Sequence, residues 1–210
     1  MPVAVIFGYF AMHGTLDDML RQGYLQAVDT YPYLSLNALN IWYALFANPW
    51  TFDNLKALSV LTYKHVGYAL VALAGGMILY LLGKKKPITV PGLYLSCACM
   101  MLSFYLFSTQ MHERYIIPAI VLLCMLVAHH PRSLAAAIPL TLTTMVNLVL
   151  VTYNQMQLPI TKWLVYVNLA SFVGLLFMLA RKNKTESYPI SRRVDRHDGF
   201  GKMESTPMDN

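Results

Sequence analysis

Long apolar runs constrain this chain more than any other feature of its sequence. Five runs approach the length of about 20 residues that a helix needs to cross a bilayer. These predicted spans are Val66–Leu82, Ile88–Thr109, Tyr115–Val127, Leu134–Tyr153 and Leu164–Ala180. The third is short for a span, and Pro118 within it allows a kink or a tilt. We also expect the segment Ala57–Tyr63 to extend the first span.

Composition agrees with a chain that lies in lipid. Hydrophobic residues make up 57% of the sequence and charged residues only 12%, against about 25% charged in soluble domains. The predicted fold class is therefore all-α, a polytopic transmembrane helix bundle of about five to six spans. The sixth would be the apolar segment 1–13, a partial span that lacks the basic start of a signal peptide.

Charged residues alternate between the two ends of the predicted helices. Basic clusters follow the first, third and fifth spans, whereas most acidic residues lie toward the other end. Because Lys and Arg hold loops on the cytoplasmic side, we expect a multi-pass protein of the cell membrane with a cytoplasmic C-terminus. The net charge of +6 then reflects topology, and it does not indicate a nucleic-acid partner. The clusters are Lys84, Lys85 and Lys86, then His129, His130 and Arg132, then Arg181, Lys182 and Lys184.

The stretch 14–63 has mixed polarity and does not resemble a simple loop. Thr15 or Asp17 is a suitable cap for a helix that runs to about Asp29, where apolar residues recur at helical spacing. A later apolar piece, Asn37–Phe46, is too short to span and rich in aromatic residues. We therefore expect an amphipathic, re-entrant or interfacial subdomain on the outer face.

These segments define the predicted domains. The membrane domain covers 1–182, and its five spans lie within 64–182. The remaining residues, 183–210, are polar and too poor in apolar side chains to form a core. We expect them to form a disordered cytoplasmic tail.

The densest group of ionisable side chains is His112, Glu113 and Arg114, between the second and third predicted spans. Charges at this depth are costly unless they are paired or used. Arg could bind an anion such as a phosphate through its planar fork, with His orienting the anion and Glu holding Arg in place. The alternative is a short polar turn whose charges are solvated.

A second candidate surface lies in the segment YPYLSLNALNIW, which contains Tyr31, Asn37, Asn40 and Trp42. Asn37 and Asn40 are three residues apart and would share a face if the segment were helical. Amides bond hydroxyl groups and aromatic faces stack on sugar rings, so this set suits a sugar or a lipid headgroup. An interfacial aromatic belt with capping asparagines explains the same residues.

The adjacent carboxylates Asp17 and Asp18 are weaker candidates for chemistry. Paired carboxylates can act as a general base or hold a metal. Adjacent residues do not share a helix face, however, and both lie where a helix is expected to start. Favourable interaction with the helix dipole is the alternative role.

The order of YPYLSLNALNIW, NPW and TQMHERYIIPA resembles the C-terminal half of prokaryotic membrane mannosyltransferases of the GT-C class. This class includes protein O-mannosyltransferases and other polyprenyl-phosphate-sugar-dependent glycosyltransferases. The resemblance covers about Tyr31–Ala119 by motif and the remaining spans by hydropathy. It implies transfer of a hexose, mannose in the resembling enzymes, from a polyprenyl-phosphate carrier to an acceptor on the extracytoplasmic face.

The resemblance also implies roles for the candidate residues. A cation or a divalent metal must stabilise the charge that develops on the leaving phosphate. Arg114 would supply that charge with His112 assisting and Glu113 orienting. The sugar or acceptor surface would comprise Tyr31, Asn37, Asn40 and Trp42.

One departure from the family pattern concerns the catalytic base. Family members carry about ten or more spans and place a catalytic carboxylate in their first outer loop. Asp17 and Asp18 occupy that place only superficially, because they lie too close to the YPY segment. We therefore expect the base to be missing and an N-terminal half or a partner chain to supply it. A non-catalytic membrane subunit, or a protein that binds or transports a lipid carrier, is the alternative function.

Overall fold

The computed structural model describes residues 2–22, 30–46, 50–85 and 87–181. Eight α-helices run through these ranges. The first three are short: α1 (Pro2–Met12), α2 (Leu16–Leu20) and α3 (Ile41–Leu45). The other five are α4 (Tyr63–Gly83), α5 (Val90–Phe107), α6 (Ile117–His129), α7 (Leu134–Thr152) and α8 (Ile160–Ala180). Short 3-10 turns at Glu113–Ile116 and Pro131–Ser133 lead into α6 and α7.

The all-α membrane bundle predicted from the sequence is confirmed. Four segments of the described chain are long and apolar enough to cross a bilayer, and they correspond to α4, α5, α7 with its preceding turn, and α8. The third predicted span forms α6, which has only 13 residues. Pro118 lies in its first turn, where the missing N–H costs no hydrogen bond.

Helix α5 lies at the centre of the bundle. It packs against α4, α6 and α8, while α7 packs against both α6 and α8. Successive long helices joined by short loops run antiparallel, so the connections alternate between two ends. One end carries the loops after α4 and α6. The other carries the segments before α4, between α5 and α6, and between α7 and α8.

The predicted extension of the first span is wrong. Helix α4 begins at Tyr63, and Thr62 caps it by accepting a hydrogen bond from the backbone N–H of His65. The residues before the cap form a turn in which Ala57 and Leu58 both donate backbone hydrogen bonds to the Leu61 carbonyl. An N-cap side chain that bonds the first helical N–H groups fixes where the helix begins. Helix α4 therefore does not extend back into the apolar residues before Thr62.

The N-terminal prediction is only partly covered by the described residues. The apolar segment 1–13 contains α1, whose 11 residues make it shorter than a span. The helix expected from Thr15 to about Asp29 appears as α2, which ends at Leu20. Residues 23–29 and the predicted tail 183–210 lie outside the described residues.

Helix α4 approaches the end of α5 closely at Gly67. Among the described glycines, this is the position where a side chain would come nearest to another part of the backbone. A Cβ atom on Gly67 would lie 3.0 Å from the Phe107 carbonyl oxygen and 3.5 Å from the Trp42 ring. We expect Gly67→Ala to lower the free energy of unfolding by about 1–3 kcal/mol, because overpacking forces backbone to move. Unfolding in detergent micelles, followed by circular dichroism, measures the change.

The matched control is Gly76→Ala in the same helix. A Cβ atom on Gly76 would meet no other atom within 4 Å, so the change should be neutral or slightly stabilising through helix propensity. Equal effects of the two substitutions would contradict the close packing of α4 on α5.

Candidate functional site

The two sequence motifs meet at one end of the bundle. The Leu36 N–H donates to the Met111 carbonyl at 2.9 Å, and the Gln110 N–H donates to the Tyr33 carbonyl at 3.0 Å. Isolated β-bridges join Leu36 and Asn37 to His112. Segments about 75 residues apart in the chain are thereby paired through their backbones.

The asparagines of the first motif do not share a helix face, because the segment is not helical before α3. Asn37 has a φ of 63°, a left-handed conformation that asparagine tolerates better than most residues. Asn40 precedes α3 and caps it by accepting a hydrogen bond from the Tyr43 N–H. Side chains that bond to nearby backbone favour caps and turns over helix interiors, so the segment stays non-helical as far as Asn40.

Asn40 and Trp42 anchor this segment to the bundle. The Trp42 indole N–H donates to the Phe107 carbonyl at 2.8 Å, and the Asn40 amide donates to the Ser108 carbonyl. Both side chains are buried. In this conformation both side chains hold the segment in place through these hydrogen bonds.

Leu39 is held from two directions. Its N–H donates to the Tyr105 hydroxyl on α5 at 2.9 Å. Its carbonyl accepts from the Asn168 amide on α8 at 3.1 Å, and the Thr143 hydroxyl on α7 orients that amide by donating to its oxygen at 2.6 Å. Three helices of the bundle therefore satisfy one residue of the non-helical segment.

The His112 ring lies between two tyrosine rings. Tyr31 and Tyr115 approach it edge-on, with centroid distances of 6.1 and 5.4 Å. Its Nδ1 atom is 3.7 Å from a carboxylate oxygen of Glu113. The structure thus brings together Tyr31, His112 and Glu113 from the predicted site, and it adds Tyr115, the last residue of the HERY motif.

Arg114 is the exposed cation of this cluster. The His112 and Glu113 side chains are only 25% and 13% exposed, so the carboxylate faces the imidazole while the guanidinium is open to a ligand. The described contacts of Glu113 include His112 but not Arg114, which differs from the pairing we expected. An exposed guanidinium beside a held imidazole and two phenols is a suitable arrangement for an oxyanion such as a phosphate.

Asp53 is a residue of this region that the sequence patterns did not reveal. Its side chain is 1% exposed, and one carboxylate oxygen accepts hydrogen bonds from the Thr109 hydroxyl at 2.8 Å and the Gln110 amide at 2.9 Å. Its backbone bonds Pro32 and Lys64. In the sequence, Asp53 is a single carboxylate among aromatic residues, and this is the one sign that it is unusual. No spacing in the sequence indicates its contact with Thr109.

Asp17 and Asp18 are not brought to the cluster. Both are exposed on α2, which packs against α1 and not against the helices of the cluster in the part of the chain that the structure describes. The part of the chain that the structure describes also contains no group of three or more His, Cys, Asp or Glu side chains placed to hold a metal ion. The divalent metal that the resemblance allows therefore has no such ligand group among these residues.

Residues 51–203 match the ALG6, ALG8 glycosyltransferase family. The matched range covers most of the chain, including the His112–Arg114 cluster and Asp53, and begins after the YPY segment. The fold and the match define a multi-pass membrane glycosyltransferase of the GT-C class, a class that uses lipid-linked sugar donors. The chain belongs to the ALG6, ALG8 glycosyltransferase family. No curated protein and no solved structure matches it.

The buried carboxylate of Asp53 gives a test of how the site is held. We expect Asp53→Ala to lower the free energy of unfolding by about 1–3 kcal/mol, because two donors lose their charged acceptor. Asp53→Asn keeps one acceptor oxygen and should have a smaller effect. Thermal unfolding in micelles gives the values.

The neighbouring exposed residue Asn54 provides the control for that experiment. Asn54→Ala should change stability by less than about 0.5 kcal/mol, as surface substitutions usually do. If Asp53→Ala were as mild as Asn54→Ala, Asp53 would not connect the two motifs.

Proposed function

We propose that this chain binds a polyprenyl-phosphate-linked hexose and takes part in its transfer to an acceptor on the extracytoplasmic side of the membrane. Family membership supports the reaction class and the lipid-linked donor. The observation that carries the finer proposal is the convergence of Tyr31 and the His112–Arg114 cluster at one end of the bundle. Residues just outside a spanning helix lie near the headgroup region, where the phosphate of a lipid carrier is found.

Arg114 has the central role in the proposed chemistry. The acceptor hydroxyl attacks the anomeric carbon, the bond from that carbon to the phosphate oxygen breaks, and its electron pair stays on the phosphate. Arg114 stabilises this growing negative charge and His112 donates a second hydrogen bond. Glu113 holds the imidazole through the 3.7 Å contact. The proton of the acceptor hydroxyl goes to a base that we do not assign among the described residues.

The identity of the sugar is the least constrained part of the proposal. The sequence resemblance favours mannose, whereas the matched family contains dolichol-linked glucosyltransferases. Both hexoses present the same phosphate to the cluster, so the proposed role of Arg114 holds for either. Assays with the mannosyl and the glucosyl carrier side by side decide between them.

A binding subunit without catalysis of its own is the second candidate function. It is favoured by the position of the two carboxylates near the cluster: Asp53 is buried with one oxygen hydrogen-bonded, and Glu113 lies beside His112. The exposed carboxylates Asp17 and Asp18 are not brought to the cluster. This candidate predicts carrier binding without transfer by the isolated chain and transfer once a partner supplies the base.

Arg114 is the residue whose substitution tests the proposal. We expect Arg114→Ala to reduce transfer about 100-fold or more, as removal of an oxyanion donor does. Arg114→Lys should restore part of the activity, since lysine keeps the charge but loses the planar fork. Transfer from polyprenyl-phosphate mannose and from polyprenyl-phosphate glucose is measured in membranes in which the unmodified protein is active.

Lys56→Ala is the matched control, because Lys56 is an exposed cation in the same outer region. Its activity should equal that of the unmodified protein. Unchanged turnover in Arg114→Ala would remove Arg114 from the mechanism.

The membrane orientation has a separate test. The end of the bundle opposite the cluster carries Lys84, Lys85 and Arg132, which favours the cytoplasmic side. With Cys97, Cys99 and Cys124 replaced by alanine, we expect a membrane-impermeant maleimide to label Gln155→Cys from the extracytoplasmic side only. Pro87→Cys should be labelled only after the membrane is opened. The reverse pattern in sealed vesicles of known orientation would place the cluster in the cytoplasm.

A further inference from the structure

A cavity of about 380 Å³ opens at the same end of the bundle as the His112–Arg114 cluster. One wall is formed by the segment around α3, and the other by the loop between α7 and α8 and the start of α8. The volume lies within the range of about 300–1,000 Å³ that is typical of sites for small ligands. Its lining residues that matter here are Asn37, Tyr43, Trp50, Asn154, Gln157 and Lys162.

The lining has the chemistry of a site for a ligand rich in hydroxyl groups. The amides of Asn37, Asn154 and Gln157 each offer a donor and an acceptor. Lys162 adds a cationic donor, and it makes no ion pair or side-chain hydrogen bond with the residues that the structure describes. Trp50 is half exposed, so its ring offers an apolar face for the CH groups of a sugar.

Two walls of this cavity contain backbone in an uncommon conformation. The φ angles of Asn37 and Asn154 are 63° and 54°, and both residues line the cavity. Such conformations cost energy and concentrate at ligand-binding and active sites. The walls are also joined, because the Tyr43 hydroxyl donates to the Met156 carbonyl. A hydrogen bond between α3 and the α7–α8 loop thus fixes the two walls relative to each other.

The cavity adjoins the cluster without sharing its side chains. Asn37 forms a backbone bridge with His112 while it also lines the cavity. The described lining contains no residue of the range 112–115 and no arginine. A ligand in the cavity would therefore be recognised through the amide side chains and the Lys162 ammonium, next to a cluster suited to a phosphate.

We propose that this cavity binds the saccharide of the acceptor while the His112–Arg114 cluster holds the donor phosphate. This assignment rests on the function proposed above and adds the place of the second substrate. Asn37, whose backbone touches the cluster, sets the distance between the acceptor sugar and the scissile bond.

Binding is tested on the full chain in lipid nanodiscs, without any requirement for turnover. The probes are the neutral disaccharides mannobiose and maltose, followed by saturation-transfer NMR. We expect at least one to bind, and Trp50→Leu to weaken it about 5–10-fold through loss of the aromatic contact. Asn154→Gly should weaken it as well, and glycine keeps the positive φ, so the loop retains its fold.

The matched controls are Trp163→Leu and Lys56→Met. Trp163 is 67% exposed on α8 and does not line the cavity, so its loss should leave the Kd unchanged. Lys162→Met should weaken binding, whereas Lys56→Met should not. Failure of both disaccharides to bind, or equal Kd values for cavity and control variants, would overturn the proposal.

Arg114→Ala separates this inference from the proposed function. We expect that variant to bind the disaccharide with unchanged affinity while it loses affinity for polyprenyl phosphate. If Trp50→Leu and Asn154→Gly lost affinity for polyprenyl phosphate and kept their affinity for the disaccharide, the cavity would not be the acceptor site. If Arg114→Ala kept full transfer, the proposed role of the cluster would fail and the cavity assignment would still be decided by its own variants.

Discussion

The hydrogen bonds that hold Leu39 are the interaction on which the rest of the structure depends. A non-helical segment packed into a membrane bundle must find partners for its backbone N–H and C=O groups, because lipid offers none. Tyr105 and Asn168 supply both partners for Leu39, and Thr143 orients Asn168. The polar side chains within these otherwise apolar helices therefore supply the hydrogen-bond partners that the inserted segment needs. They let residues 31–42 occupy the end of the bundle, where they meet the second motif.

This attachment fixes the register between the two motifs. Leu36 bonds Met111 and Tyr33 bonds Gln110, and a shift by one residue would turn every side chain of the pair to the opposite side. Asp53 adds a third connection through Thr109 and Gln110. The Tyr31–His112 contact is thus a result of backbone pairing and does not depend on the two rings alone.

The helical bundle could be predicted from the sequence because membrane spans follow from length and hydropathy. The four longest helices and the shortness of the third span all appear in those two quantities. The start of α4 could not be predicted in this way. It is fixed by the hydrogen bond of the Thr62 cap, and hydropathy does not change at that point. Sequence spacing left open whether Asn37 and Asn40 lie on a helix face or cap a helix, and the structure shows Asn40 as the cap of α3.

The candidate site also contains a part that the sequence indicates and a part that only the fold reveals. The His112–Arg114 group could be selected as a candidate from the sequence, because ionisable residues are rare beside spans, whereas the contact of Glu113 with His112 could not. The involvement of Asp53 and of the cavity could not be predicted either. Each depends on contacts between segments more than 50 residues apart in the chain, such as Asp53 with Thr109 and Tyr43 with Met156. Local patterns identify which side chains are unusual, whereas only the fold identifies their partners.

The length of α6 has a consequence for the lipid around the protein. Its 13 residues rise only about 20 Å, against a hydrocarbon core of about 30 Å. The 3-10 turn Glu113–Ile116 before α6 adds about 8 Å, so a thin bilayer would place the cluster at the headgroups and a thicker one would draw it toward the hydrocarbon. Hydrophobic mismatch costs energy for each ångström of difference. Membrane thickness, set by lipid composition, thereby becomes a variable that changes how deep a carrier phosphate must lie to reach Arg114 in the mechanism that we propose.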